Sequence, residues 1–145
     1  MRTTINLFLL GFLGLTSCSS GKMVLMKGGD FNRVLMEKCP IEHGKLILTG
    51  LSIEPIGKTK LSSLAEVSIY VSPKGFDNPE KEGAKLVYRL KIDRPGKGGA
   101  ISFPDVSTPL NIPKGWVHGA MVLKWETNGI PERLQISIFV SAGSS

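Results

Sequence analysis

The stretch AMVLKWETNGIPERLQISIFV, residues 120–140, alternates apolar and polar side chains on both sides of an Asn128-Gly129 pair. Asn-Gly between two such runs is the strongest short-range hairpin signal, because both residues tolerate the positive φ that a type I′ turn demands. A two-residue turn pairs Leu123 with Leu134 and Met121 with Ile136, which brings four apolar side chains onto one face. Trp125 shares their parity and belongs with them in the core. The same register sets Pro131 opposite Glu126, with the side of the chain that lacks an N–H turned away from the partner strand. That is tolerable only if that end of the Pro131 strand is an outer edge or lies beyond the sheet.

Period two recurs upstream. Leu86, Tyr88, Leu90 and Ile92 are apolar around the charged Arg89 and Lys91, and Ala65, Val67, Ile69 and Val71 alternate with Glu66, Ser68, Tyr70 and Ser72. This pattern gives strands with one buried and one wet face. Further strand candidates are Lys45 to Ile53 and Gly99 to Phe103, with weaker ones at Met23 to Met26 and Val34 to Met36. Seventeen glycines and nine prolines fall mostly between these runs, as turn chemistry requires. A short helical turn is expected at Leu61 to Ala65. Short strands broken by turns about every ten residues predict an all-β fold: an antiparallel β-sandwich of immunoglobulin-like or transthyretin-like plan, with a small β-barrel as the alternative.

The chain begins differently. Arg2 precedes an apolar run from Ile5 to Leu15, and Leu15-Thr16-Ser17-Cys18 follows. The run is too short for a membrane-crossing helix, which needs about 20 apolar residues. A plain secretory signal fits the charged start and apolar middle but does not require the cysteine. The segment resembles the signal sequence of bacterial lipoproteins. That resemblance implies cleavage before Cys18, a lipid on its sulfur and acylation of the new amino terminus, and Ser19 resembles an outer-membrane address. The expected organisation is a signal peptide over 1–17, a lipidated cysteine and flexible tether over 18–29, and one β-sandwich domain over 30–145, a length suited to a core of its own.

Charge and cysteine usage narrow the function. The chain carries 18 Lys+Arg against 12 Asp+Glu, a net +6, which becomes +5 once Arg2 leaves with the signal. The charges are scattered, without the basic run expected of a nucleic-acid binder, and no nucleic-acid partner is expected. Lipidation of Cys18 leaves Cys39 alone, read as a small buried apolar residue. Gly57-Lys58-Thr59 resembles the tail of a phosphate loop, but Ser52 stands where the motif needs its first glycine. Asp77, Asn78, Glu80 and Glu82 lack calcium-loop spacing, and His43 and His118 are isolated, so no metal site and no cofactor are expected. There is no Gly-x-Ser-x-Gly elbow, and nothing else points to an enzyme.

Two functions remain. One is an envelope lipoprotein acting as a structural or protein-interaction module, an accessory of a secretion or envelope assembly; the small β-sandwich lipoprotein of type VI systems and some pilotins are similar in size and plan. The other is a small-ligand or glycan-binding module built on Trp116 and Tyr70. The partner-binding candidates are Phe76 and Asp77, in the long loop from Ser72 to Gly83, and Trp116.

Overall fold

The Asn128-Gly129 turn forms with φ of 51° and 81°, both positive as a type I′ turn requires. It joins strands His118–Thr127 and Ile130–Phe139 in the expected register, with Leu123 opposite Leu134, Met121 opposite Ile136 and Glu126 opposite Pro131. The computed structural model describes residues 23–26, 32–93 and 99–141. Within them lie eleven strands and no helix: β1 (Met23–Met26), β2 (Asn32–Met36), β3 (Ile41–Glu42), β4 (Lys45–Leu48), β5 (Ser52–Pro55), β6 (Leu61–Ser72), β7 (Lys85–Asp93), β8 (Ile101–Ser102), β9 (Val106–Pro109), β10 (His118–Thr127) and β11 (Ile130–Phe139).

All ladders are antiparallel. Sheets of order β1-β2-β5-β8 and β11-β10-β6-β7 enclose one core, and the small sheet β3-β4-β9 extends it at one end. Val34, Ile53 and Ile101 of the first sheet, Val67, Ile69, Met121 and Leu123 of the second, and Ile41, Leu46 and Leu48 of the third are all fully buried. The fold is an all-β sandwich. β11 lies at the edge of its sheet, which is why Pro131 breaks no ladder bond.

One polar cluster crosses the core. Trp125 Nε1–H donates to Asn32 Oδ1 at 2.9 Å and to Thr127 Oγ1 at 3.1 Å, and the Thr127 hydroxyl donates to the same Asn32 oxygen at 2.9 Å. Asn32 and Thr127 are both buried, so these bonds pin the start of β2 to the end of β10. At the other end of β10, Gly119 faces inward where β11 crosses closely. A Cβ there would overlap Val140 Cγ2 and stand 3.0 Å from Ile138 Cγ1.

Several expectations are corrected. Lys45 to Ile53 is two strands, because the chain turns at Gly50 (φ 69°) and passes from the small sheet to the first large one. Leu61 to Ala65 is the start of β6, not a helical turn. Leu86 does not face the core: a bulge after Ile69 makes Tyr70 pair with Leu86 instead of Val87, so the strand changes phase. Val87 turns toward the core and Leu86 is left 38% exposed. The weak candidate Met23 to Met26 is a strand, and it falls inside the segment expected to be tether.

Candidate functional site

The outward face of sheet β11-β10-β6-β7 carries the surface features. Parity places Glu66, Ser68 and Tyr70 of β6 there, with Ala120, Val122 and Lys124 of β10. Yet Tyr70, Ala120 and Val122 are buried. The 73–84 loop folds back across them, burying its own Pro79. The loop is internally braced. Glu82 Oε2 accepts from the backbone N–H groups of Asp77 (3.0 Å) and Asn78 (2.7 Å), and Asn78 Oδ1 accepts from Glu80 N at 3.0 Å.

Three side chains of the sheet then clasp it. Gln135 donates to the Asp77 carbonyl at 2.7 Å, while the Glu80 carboxylate takes Lys124 on one oxygen and Arg133 on the other, at 2.5 and 3.1 Å. Lys124 and Arg133 are direct cross-strand partners, so Glu80 neutralises two cations that would otherwise repel. The Lys124 hydrogen bond foremost, and Arg133 with it, holds the Glu80 carboxyl below its ordinary value. Most of the loop is exposed, as expected, and it is clasped to the sheet rather than free-standing.

Beside the clasp, toward the hairpin turn, the same face opens into a groove of about 590 Å³. Leu64, Ile92 and Pro131 provide apolar wall, Lys91 stands on β7 and Glu126 on β10. Leu64 is 58% exposed. Lys124 and Arg133 form the border shared with the clasp, and Glu66 is occupied by Arg89 at 2.7 Å. The groove therefore offers apolar surface with Lys91 and the acids Glu126 and Glu132 at its sides.

The residues singled out from sequence do not converge. Phe76 is half-buried and lines a small hollow of about 160 Å³ with Val117 and His118. Asp77 is exposed, and its backbone serves the clasp. Trp116 is half-buried against the core, outside that hollow. Cys18 lies outside the described residues. Cys39 is buried with its Sγ 3.9 Å from Met121 Sδ, and burial pushes its thiol up to about 12, so it is a core residue rather than a nucleophile. His43 is a turn residue, with positive φ of 53° ahead of Gly44 at 75° in the β3–β4 hairpin. Among the described residues no three His, Cys, Asp or Glu side chains group as metal ligands.

Comparison with known proteins adds little. No family model matches the chain, and no curated protein matches it. Among solved structures it is similar to Spo0M, a sporulation control protein from Bacillus subtilis, at 16% identity and a TM-score of 0.43. The similarity covers 79% of this chain and 50% of that one, so the chain spans about half the length of Spo0M.

Proposed function

We propose that the chain is a membrane-anchored envelope lipoprotein, addressed to the outer membrane, whose sandwich acts as a rigid docking scaffold for an envelope protein. The observation that carries the anchoring is Leu15-Thr16-Ser17-Cys18 behind an apolar run too short to span a bilayer. The scaffold role is supported by the groove beside Leu64. A clasped loop on one side and an apolar strip flanked by Lys91 and Glu126 suit an extended protein segment that carries an apolar anchor and both charges. Service in a secretion or envelope assembly is consistent with that plan.

A glycan or small-ligand module has less support. Tyr70 is buried beneath the loop, Trp116 lies at the opposite end of the sandwich from the groove, and the hollow at Phe76 is below the about 300 Å³ of the smallest ordinary ligand sites. The test is a photo-crosslinking residue at Leu64 in the full-length protein, irradiated in intact cells. A discrete protein adduct, lost when Lys91→Glu and Glu126→Lys are combined, supports the reading. Retention of a glycan or lipid in place of any protein would replace it with the ligand-binding module.

A further inference from the structure

The sandwich has two distinct ends. One holds the Asn128-Gly129 turn, Lys60 bonded to Asn128, and Asn32 at the start of β2. The other holds the start of β10, the end of β11 and the β3–β4 hairpin. That hairpin continues from β2, runs beside the end of β11 through the parallel Ile41–Val140 bridge, and reaches its tip at His43-Gly44. The tip is tied to Ser141, whose carbonyl accepts from Gly44 N at 3.0 Å, and to Leu110, whose N–H donates to the Gly44 carbonyl at 2.7 Å. The 110–117 segment and Lys74 therefore belong to this end too, since Leu110 bonds the tip and Ser72 pairs with His118.

We infer that the end formed by the His43-Gly44 tip, Trp116, Val117 and Phe139 rests on the lipid headgroups of the membrane that holds the protein. The inference rests on the lipoprotein reading and adds an orientation to it. Three observations carry it. The chain enters β1 at Met23, and Met23 pairs with Met36, so the entry point faces this end. Only four residues, Ser19 to Lys22, separate Cys18 from Met23, which makes five Cα-to-Cα steps. Five steps reach at most about 18 Å, where a tether running unbroken to Gly29 would reach roughly twice as far. From Met36 to Glu42 the hairpin covers up to about 20 Å at the rise of an extended strand. The reach of the tether is thus comparable with that of the hairpin past the attachment point, which keeps this end of the sandwich close to the lipid.

The second observation is apolar exposure. Phe139 is 65% exposed and Val117 53%, with Trp116 and Phe76 half-buried beside them. Tryptophan and phenylalanine at such a depth sit well among headgroups. The third is charge. Lys45, Lys74, Lys85 and Lys114 are all exposed here, against Glu42, the cross-strand partner of Lys45, and the loop acids Asp77 and Glu82. Among the described residues none of the four lysines is in an ion pair. Their long stems can lie along the apolar patch while the ammonium groups meet phosphate. Leu64 and Ile130, also exposed, are at the far end, so the groove faces away from the membrane.

The test uses the full-length protein purified with its lipid and reconstituted into vesicles of phosphatidylethanolamine and phosphatidylglycerol. Cys39 is buried and Cys18 is blocked, so a fluorophore can be attached at Lys114→Cys or, at the other end, Lys58→Cys. Headgroup spin-labelled lipid should quench the label at 114 at least threefold more than the label at 58, and Val117→Glu with Phe139→Glu should erase the difference. Equal quenching at both positions in a protein that carries acyl chains overturns the orientation and leaves the anchor intact. Mass spectrometry showing an unmodified Cys18 overturns both. A label at 114 that is unquenched in vesicles, while a crosslinker there captures a protein in intact cells, makes this end a protein interface and overturns the inference.

Discussion

Gly119→Ala is the sharpest probe of the packing. The new methyl would overlap Val140 Cγ2 and press on Ile138 Cγ1 at 3.0 Å, and neither neighbour can easily yield. Val140 is β-branched and 5% exposed, and its backbone makes the bridge to Ile41. Overpacking of this kind costs about 1–3 kcal/mol. With a urea slope of about 2 kcal/mol per molar, a loss of about 2 kcal/mol lowers the unfolding midpoint by about 1 M. Val140→Ala alone removes two methyl groups and costs about 2 kcal/mol. If the clash is the cause, the double variant loses about 2 kcal/mol rather than the sum of about 4, a coupling within the range seen for touching residues. Urea titration followed by Trp125 fluorescence reads all four proteins. An unchanged midpoint for Gly119→Ala, or strictly additive losses, would refute the packing argument.

Other expectations follow from the clasp and the core. Leu123→Ala, fully buried, should cost about 2–5 kcal/mol, and Leu134→Ala, only half-buried, should cost less on the same denaturation curves. Gln135→Ala should destabilise little globally but speed proteolysis within the 73–84 loop, because it removes the bond to the Asp77 carbonyl. Glu80 has a folded-state value below its unfolded value of 4.5, so its stabilisation is present above that pH and is lost as pH falls through the lower folded value. Protection from hydrogen exchange in the loop, taken relative to the intrinsic rate at each pH, should therefore fall on acidification below about 4.5 in the native protein, and Glu80→Gln should show the lowered protection already at neutral pH. Cys39 should resist alkylation in the native protein and react on unfolding, as mass spectrometry of labelled samples would show; rapid native labelling would mean the thiol is accessible.

The hairpin at residues 120–140 was legible because its turn residues, its register and its burial pattern are all local. The β3–β4 turn uses the same physics but is built on His43-Gly44, where histidine gives a weaker signal for positive φ than asparagine does. The reversal of Leu86 came from a bulge, which inserts a residue into the pairing without marking the strand's own alternation. The fixed loop was unreadable as a loop, since its bonds reach 44 to 58 residues away. One hint was present: the hairpin register sets Lys124 opposite Arg133, and two cations on one face call for an acid from elsewhere. The groove depends on how four strands and their bulges lie together, which period-two patterning does not specify.

The placement of β10 between β6 and β11 sets the time at which this chain can fold. Its bonds reach back to Asn32 across 95 residues and to Cys39 across 82, so neither large sheet can close against the other until β10 has been synthesised. At a translation rate of about 5–20 residues per second, the stretch from Asn32 to Thr127 takes roughly 5–20 s to emerge. Folding dominated by such distant pairings then proceeds on the slow, millisecond-to-second side of small domains. The nascent chain accordingly lacks its closed sandwich until late. A translocation channel that accepts only unfolded polypeptide would find it threadable throughout, and the sandwich would close on the far side.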